Sequence, residues 1–312
     1  MRRAPPTPTG LPATPTRAPA WAQPLADDFD GPDFAPGGGL YYKLNAEQAA
    51  GTRRFAPGTG TGTAGRGTLH LAVHPRCAPG DPTCSERAEV WERPAVLAPY
   101  GTPMWYGFAL ALDAPIPDDD HRYLLAQWKR QILPGAAGDI SPFLALRLRR
   151  GRLYLTVETA LLPTVDTASA GAAPVQVRRH DHQMRALVAA EPGTPAATFA
   201  DYARHSEDIR VIPRGAPLPA AGSGWIDFAL RVQPGPDGDG HIEVLANGAW
   251  VATVRGHIGH AGPGLGPMQY FKFGPYRAGH PGTWRVRYAR FRRGPRALDV
   301  LPAAHCPPQL RD

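Results

Sequence analysis

Regular alternation of apolar and polar side chains is the feature of this sequence that most constrains its fold. In 225–232, WIDFALRV, Phe228 and Leu230 alternate with Asp227 and Arg231. Successive side chains of a β-strand point to opposite faces, so this run predicts a strand with one buried face. Similar runs recur at 105–112, 143–149, 241–254 and 284–291. The pattern therefore predicts a protein built largely from half-buried strands.

The connections between these runs favour an antiparallel β fold. Asn247-Gly248 separates two strand-like runs, and both residue types tolerate the positive φ of a type I′ hairpin turn. The 35 glycines and 37 prolines exceed ordinary usage and indicate many turns. The one fair helical candidate is 195–210, and long loops are expected at 158–190 and 204–224. These signals predict a sandwich, a jelly roll or a barrel.

The chain reads as one globular domain with a tail at each end. Its 312 residues are enough for one large β domain, and no internal repeat or linker divides them. Residues 1–25 are rich in Pro, Ala and Thr and are predicted to be disordered. The domain is expected over 26–295, and a loose tail over 296–312.

The basic charge points to an anionic partner without identifying it. The formal net charge is +7 and the sequence pI is about 9.6. Nucleic acid, anionic lipid and acidic polysaccharide all fit such a surface. The sequence carries no recognised nucleic-acid module and no apolar run near the roughly 18 residues of a membrane span. We therefore expect no nucleic-acid partner and no membrane partner.

The three cysteines suggest one short disulfide loop. Cys77 and Cys84 enclose a Pro/Gly loop, and a bond between them is expected in an oxidising compartment, with two free thiols as the alternative. Cys306 would then be unpaired. The N-terminus has a basic start but lacks the apolar segment of a complete signal peptide.

The segment YFKFGPYR, which begins at Tyr270, is the most informative part of the chain. Read as a strand, it places Tyr270, Lys272 and Tyr276 on one face and Phe271 and Phe273 on the other. The phenylalanine face would be the core. The opposite face would present a cation and two phenols, with a glycine that lets a ligand approach closely. On pattern alone, a strand with a polar outer face explains this segment equally well.

Two shorter segments carry the same kind of pattern. Alternation places Arg87, Glu89 and Trp91 on one strand face, and Gln127 and Lys129 on another. Each segment taken alone is typical of a solvated strand face or a surface ion pair.

Taken in order, R-x-E, Q-x-basic and Y-F-K-x-G-x-Y resemble the three signature strands of the jelly-roll alginate lyases. Heparin and glucuronan lyases are similar in the last segment and in the preceding W-I-D-F and G-H-I-E-V-L-A-N-G runs. The resemblance spans roughly residues 27 to 292. It implies a β-jelly roll, which is a concanavalin-like sandwich with long loops. It also implies a secreted or periplasmic monomer that cleaves an acidic, uronate-containing polysaccharide by β-elimination.

The resemblance assigns roles to five residues. A lyase removes the weakly acidic C5 proton of a uronate, so the neighbouring carboxylate must be neutralised. Arg87 and Gln127 match the family residues that do this. Tyr276 matches the family tyrosine that acts as acid and base, and Lys272 would supply the positive charge that a phenol of pKa about 10 needs. Lys129 adds further positive charge near the reacting sugar.

Lys129 is also where the sequence departs from the family, whose middle motif usually ends in a histidine base. Loss of that base leaves two hypotheses. Either the protein binds without cleaving, or Tyr276 acts as both base and acid. The second arrangement suits glucuronate or mannuronate, in which the proton and the leaving oxygen lie on the same side of the ring.

Five other residues are predicted to line the substrate cleft. The resemblance places Tyr270 and Glu89 beside the catalytic residues, and Arg277 directly after Tyr276. Arg147 and Arg149 alternate with leucines and would extend a basic cleft along the glycan, although a solvated outer face explains them as well.

Two other functions are weighed against the lyase. A non-catalytic carbohydrate-binding jelly roll is favoured by the missing histidine and disfavoured by Tyr276 and Lys272. A glycoside hydrolase needs two carboxylates that flank the bond, and the sequence has no Glu-x-Asp-x-x-Glu strand.

No cofactor is predicted, and calcium is the one ion left open. A hard cation prefers oxygen ligands, which an acidic cluster would supply, but a charged surface strand is the better interpretation. This cluster comprises Asp27, Asp28, Asp30 and Asp33. Four histidines were also weighed as metal ligands or as a replacement base, namely His70, His74, His180 and His182, and structural or solvated roles are favoured for them.

Overall fold

The computed structural model describes residues 18–58, 67–78, 81, 83–134, 140–160, 183–202 and 209–311. Its strands are β1 (Leu25–Asp27), β2 (Leu40–Tyr42), β3 (Gly51–Ala56), β4 (Thr68–Val73), β5 (Ser85–Arg87), β6 (Val90–Glu92), β7 (Ala98–Pro99), β8 (Met104–Leu112), β9 (Tyr123–Ile132), β10 (Leu144–Arg149), β11 (Arg152–Ala160), β12 (Gln183–Ala190), β13 (Ile209–Pro213), β14 (Ile226–Gln233), β15 (Gly235–Ala246), β16 (Ala249–His260), β17 (Leu265–Ala278) and β18 (Trp284–Gly294). Short 3-10 helices lie at Ala20–Ala22, Ala46–Ala50, Pro94–Val96, Ala196–Tyr202, Ala297–Asp299, Ala303–His305 and Pro308–Leu310.

The strands form two antiparallel sheets. Sheet one has the order β3-β4-β18-β8-β14-β15-β16-β13, and β1 continues along β18 beyond β4. Sheet two has the order β2-β6-β17-β9-β10-β11-β12, and β5 and β7 continue the line of β6 along β17. The end of β16 pairs in parallel with β11 and joins the two sheets. The all-β jelly-roll fold predicted for the chain is confirmed.

An aromatic core fills the space between the sheets. Phe271 and Phe273 of β17 point from sheet two toward Phe108 and Tyr288 of sheet one, and all four side chains are buried. The ring centroids of Phe108 and Phe271 are 5.6 Å apart, and those of Phe273 and Tyr288 are 4.8 Å apart. Burial of one such ring contributes roughly 1.5–3 kcal/mol. This packing fixes the orientation of β17, so its alternate residues point away from the core.

The predicted hairpin is confirmed at the turn between β15 and β16. Asn247 and Gly248 adopt φ values of 50° and 74°, which is the left-handed conformation that this turn requires. Ala246 and Ala249 pair on either side of it.

Three details of the predicted secondary structure are wrong. The expected loop at 158–190 contains the end of strand β11 and the whole of β12, and 161–182 lie outside the described residues. The helical candidate at 195–210 contains only the short 3-10 helix Ala196–Tyr202, and 203–208 lie outside the described residues. The expected loop at 204–224 contains strand β13, which pairs with β16 at the edge of sheet one. A five-residue strand is too short for alternation to identify it.

The ends of the chain differ from the expected tails. Ala297, Leu301 and Cys306 are buried in a second apolar cluster with Trp105 and Leu245, on the face of sheet one that points away from the main core. This packing buries β8 on both faces. At the other end, β1 begins at Leu25, and residues 1–17 lie outside the described part of the chain.

The cysteine predictions are confirmed. Cys77 and Cys84 form a disulfide, and Cys306 is a free, buried thiol. The disulfide lies just before β5, which carries one of the predicted site residues.

At Gly274, β17 lies close against the backbone of the segment that carries Ala88 and Glu89. The φ of Gly274 is +124°, and a Cβ built on it would lie 2.1 Å from the carbonyl oxygen of Ala88 and 3.0 Å from Cα of Glu89. Only glycine adopts this backbone conformation without strain. The glycine therefore allows the strand that carries Lys272 and Tyr276 to lie directly against the segment that carries Glu89.

We expect Gly274→Ala to destabilise the fold by about 2 kcal/mol or more, because it combines left-handed strain with a backbone clash. Urea unfolding followed by circular dichroism measures this change. Gly37→Ala is the matched control, since nothing lies within 4 Å of the added Cβ and φ is outside the left-handed region. Equal stability of the two variants would contradict the proposed close approach.

Candidate active site

Strand register brings the three sequence motifs together. Lys272 of β17 lies opposite Gln127 of β9, and Tyr276 lies opposite Arg87 of β5. The next pair of β17 and β9 residues on the same face is Tyr270 and Lys129. These side chains lie on the side of sheet two that points away from the aromatic core. We call this surface the polar face, and it consists of Arg87, Glu89, Trp91, Gln127, Lys129, Tyr270, Lys272 and Tyr276.

A buried carboxylate lies at the centre of the polar face. Glu89 is 0% exposed, and its Oε1 accepts a hydrogen bond from Nε2 of Gln127 at 2.6 Å. Its Oε2 accepts from Nζ of Lys272 at 3.1 Å and from Nη1 of Arg87 at 3.2 Å. A buried charge is tolerated only when it is paired and hydrogen-bonded, and three strands supply the partners here. Glu89 was predicted to bind substrate, but its contacts are with the neighbouring protein side chains.

Lys272 is a buried cation with a perturbed proton affinity. Its side chain is 2% exposed, and burial lowers its pKa to about 8. The Glu89 carboxylate raises that pKa, whereas the positive charges of Arg87 and Lys129 lower it. Lys272 therefore loses its charge at a pH where an ordinary lysine keeps it.

Tyr276 faces two guanidinium groups. Cζ of Arg87 lies 4.1 Å from the centre of the Tyr276 ring, and Cζ of Arg122 lies 5.1 Å from it. Cations over a phenol ring stabilise negative charge on the ring and its oxygen. Tyr276 is half-buried, so its environment is electropositive and still reachable from solvent.

An aromatic pair borders the cations. The rings of Trp91 and Tyr270 are stacked, with centroids 5.2 Å apart and an interplanar angle of 13°. Nζ of Lys43 lies 4.0 Å from the centre of the Trp91 ring, and Nζ of Lys272 lies 4.5 Å from it. Stacked rings beside cations give a surface on which the apolar face of a sugar could rest while its charged groups meet lysines.

Arg147 and Arg149 lie on β10, the next strand beyond β9, on the same side of sheet two. Arg147 is opposite Leu124, and its Nε donates to Oγ1 of Thr156 at 3.0 Å. Arg149 forms an ion pair with Asp120 and donates to the carbonyl oxygen of Thr198. Arg147 thus continues the row of Arg87 and Tyr276, while Arg149 is tied to the surrounding loops.

The prediction that Arg277 lines the cleft is wrong. Arg277 points to the opposite side of β17 from Tyr276, is 1% exposed, and pairs with the buried carboxylate of Glu86 at 2.6 Å. It also donates to the carbonyl oxygen of His280. Its charge is neutralised inside the protein, where it supports the strand instead of binding a glycan.

Comparison with known proteins identifies the family. Residues 59–290 match the protein family described as Polysaccharide lyase. The chain belongs to this family. It is a polysaccharide lyase. A search of curated protein sequences gives no match.

The fold of a solved glucuronan lyase agrees with the fold of this lyase. The endo-beta-1,4-glucuronan lyase from the fungus Trichoderma reesei has 17% identity and a TM-score of 0.55, with 88% of this chain and 97% of that chain covered. The cellulose induced protein Cip1 has 13% identity and a TM-score of 0.46, with 87% and 97% covered. Alginate lyase vAL-1 from Chlorella virus has 10% identity and a TM-score of 0.46, with 83% and 93% covered. At these identities the similarity concerns the fold.

Three residues of the lyase site were missed from the sequence. Glu47 lies in the 3-10 helix Ala46–Ala50 and contacts Arg87, Arg122 lies over Tyr276, and Lys43 lies over Trp91. They belong to a loop or to short elements without alternation, so no periodic signal marks them. Lys43 alone had a weak signal, because the sequence contains only three lysines.

The acidic cluster is occupied by the protein's own donors. Asp27 accepts from the backbone of Phe29 and Ala35, Asp28 pairs with Arg292, Asp30 accepts from Gly67, and Asp33 accepts from Phe34 and pairs with Arg53. Among the described residues, no group of three or more His, Cys, Asp or Glu side chains is arranged to hold a metal ion. Calcium binding stays untested.

The two described candidate histidines of the lyase lie outside the polar face. His70 is on β4 of sheet one and contacts Arg54 and Thr68, and His74 directly follows β4 and contacts Thr52 and Thr283. His180 and His182 lie outside the described residues. No helix in the described part of the chain is long and apolar enough to cross a membrane.

We expect Glu89→Gln to destabilise the lyase by about 3–5 kcal/mol, because it leaves buried cations without their carboxylate. It should also lower the pKa of Lys272 further, since Glu89 raises that pKa. Urea unfolding at neutral pH measures the first effect. Asp120→Asn is the control, because it removes the more exposed carboxylate that pairs with Arg149 and Arg150 and should cost about 1 kcal/mol or less. A similar small cost for Glu89→Gln would show that Glu89 is not the structural centre of the site.

Proposed function

We propose that this lyase cleaves an acidic, uronate-containing polysaccharide by β-elimination, with Tyr276 as the acid and base. The observation that carries the proposal is the convergence of Tyr276, Lys272 and Gln127 from adjacent strands on one electropositive surface. A phenol, a buried ammonium and an amide are the groups that proton transfer beside a carboxylate requires.

The first requirement of the reaction is neutralisation of the uronate carboxylate. Lys272 and Lys129 supply positive charge, and Gln127 has a second N–H after the one that it donates to Glu89. When the C5 proton leaves, negative charge spreads from C5 onto the carboxylate. Donors held in place before the reaction stabilise that charge most effectively, because they need no reorganisation. The hydrogen bonds to Glu89 hold Lys272 and Gln127 in this way.

The second requirement is proton transfer. Tyr276, as the phenolate, takes the C5 proton, and the electron pair of that C–H bond becomes the C4–C5 double bond. The bond from C4 to the leaving oxygen breaks, its electron pair stays on the oxygen, and the Tyr276 hydroxyl returns the proton to it. The guanidinium groups of Arg87 and Arg122 place positive charge beside the Tyr276 ring. One residue in both roles requires the proton and the leaving oxygen to lie on the same side of the sugar.

This geometry favours glucuronan-like substrates, followed by mannuronate-containing alginate and heparin-like chains. Glucuronate and mannuronate carry the proton and the leaving oxygen on the same side, as a single acid and base requires. The disulfide between Cys77 and Cys84 supports a secreted or periplasmic location, where such polymers are met. Action as a monomer without a cofactor stays a prediction.

Elimination creates a double bond conjugated to the carboxylate, which absorbs ultraviolet light, whereas hydrolysis does not. We therefore expect absorbance to rise when the lyase is incubated with one member of a panel of glucuronan, alginate, heparin, heparan sulfate, hyaluronan and pectate. Tyr276→Phe should lower kcat by at least about 100-fold, which is the usual contribution of a positioned acid or base.

Tyr41→Phe is the matched control for Tyr276→Phe. Tyr41 lies on β2, opposite Trp91 and one strand further from the reacting groups, so its variant should keep most of the activity. Full activity of Tyr276→Phe would exclude Tyr276 as the acid and base. If absorbance rises with no polymer of the panel but a polymer still binds, the protein would instead recognise uronate glycans without cleaving them.

The charge of Lys272 predicts a pH limit for the reaction. Because its pKa is lowered to about 8, Lys272 is charged below that pH and becomes neutral above it. If the charged form is needed, kcat/KM falls as pH rises through about 8. The residual kcat/KM of Lys272→Arg should begin to fall only at a higher pH than in the wild type, since a guanidinium stays protonated. A value of kcat/KM that keeps rising to pH 10 in the wild type would rule out a requirement for charged Lys272.

A further inference from the structure

Arg87 has its polar atoms engaged by two carboxylates of the protein. Its Nε lies 2.6 Å from Oε2 of Glu47, and its Nη2 lies 3.1 Å from Oε1 of the same residue. Its remaining terminal nitrogen, Nη1, donates to Glu89 at 3.2 Å. The guanidinium that the family resemblance places beside a uronate carboxylate therefore already holds a carboxylate of the protein.

The contact between Arg87 and Glu47 lies on the edge of the guanidinium that arginine uses to bind carboxylate ligands. Nη2 donates a hydrogen bond to one Glu47 oxygen, and Nε lies close to the other as an ion pair without hydrogen-bond alignment. A uronate carboxylate would require the same edge of Arg87. Glu47 and the substrate thus compete for one set of donors.

The two carboxylates that hold Arg87 differ in exposure. The Glu89 side chain is 1% exposed, whereas the Glu47 side chain is 41% exposed. Glu47 is carried by the short 3-10 helix Ala46–Ala50, and it also accepts a hydrogen bond of 3.2 Å from Ser85. The pair is partly buried, with 16% of the Arg87 side chain exposed, but water reaches the Glu47 carboxylate and can solvate it when the two separate. Replacing the Glu47 carboxylate at Arg87 by a ligand carboxylate therefore costs little free energy, whereas replacing the buried Glu89 carboxylate costs much more.

We propose that Glu47 is a specificity-determining residue of this lyase, whose carboxylate holds the paired donor edge of Arg87 until a uronate carboxylate replaces it. This inference rests on the proposed function. Replacement keeps Arg87 paired throughout, so it costs little for an anionic sugar. A neutral sugar offers no carboxylate for the exchange and leaves Arg87 with Glu47. The contact therefore selects for the charge of the substrate.

The test compares the wild type with Glu47→Gln, which keeps the shape of the side chain and weakens its competition for Arg87. We expect KM for the cleaved uronate polymer, and its Kd measured by calorimetry, to fall about two- to fivefold, with kcat nearly unchanged. Asp113→Asn is the matched control. It removes a carboxylate from an arginine pair with Arg287 on sheet one, away from the polar face, and should leave both constants unchanged.

A double-mutant cycle separates competition from a general increase in positive charge. In an Arg87→Gln background, the gain from Glu47→Gln should disappear, because no paired donor edge remains to compete for. A gain of the same size in that background would show a general electrostatic effect and overturn the proposal. Arg87→Lys, which keeps the charge but not the paired geometry, serves as the second background if Arg87→Gln is poorly folded.

Failure of this inference and failure of the proposed function give different results. A wild type that forms an unsaturated product while Glu47→Gln shows a lower kcat and unchanged KM would make Glu47 a positioning residue for Arg87, and specificity by exchange would be wrong. A wild type that forms no unsaturated product from any uronate polymer would overturn β-elimination, and the Kd comparison would still test the exchange. Whether or not the wild type cleaves the polymer, an unchanged Kd in Glu47→Gln would overturn the proposed exchange of carboxylates at Arg87.

Discussion

The buried carboxylate of Glu89 is the interaction on which the polar face depends. Two cations and an amide from three different segments meet on its two oxygens, and the carboxylate has no contact with water to replace them. Without it, Arg87 and Lys272 would repel each other in a region of low dielectric constant. A lyase site needs such a concentration of positive charge, so the anion that permits it is as necessary as the cations.

The position of Glu89 depends in turn on the core behind it. Phe271 and Phe273 fix the inner side of β17, and this places Lys272 between them on the outer side. Gly274 then lets β17 approach the segment that carries Glu89. The geometry of the site is therefore set by aromatic packing on one side of a strand and by a missing side chain within it. Neither of these features touches the proposed substrate.

Alternation in the sequence predicted much of this arrangement, because strand faces follow directly from a period of two. It placed Tyr270, Lys272 and Tyr276 together, and the same rule puts Arg277 on the opposite side, where the structure finds it. The prediction for Arg277 was wrong because a residue directly after Tyr276 on a strand points to the opposite face. The partner that neutralises it, Glu86, lies on a different strand, and periodicity within one segment carries no information about such pairs.

The role of Glu47 could not be predicted from the sequence for a related reason. Its position also bears on how the proposed reaction would proceed. It is 40 residues from Arg87 in the chain and lies in a short helix without a periodic pattern. Substrate and product both carry the uronate carboxylate, so a tight contact to that group would bind both and would not accelerate the chemical step. A carboxylate that competes for Arg87 weakens this uniform binding. In the proposed reaction the buried donors Lys272 and Gln127 would instead meet the charge that grows as the C5 proton leaves. The exchangeable contact at the exposed edge of the site would thus serve ground-state binding, and the fixed contacts at its buried centre would serve transition-state stabilisation.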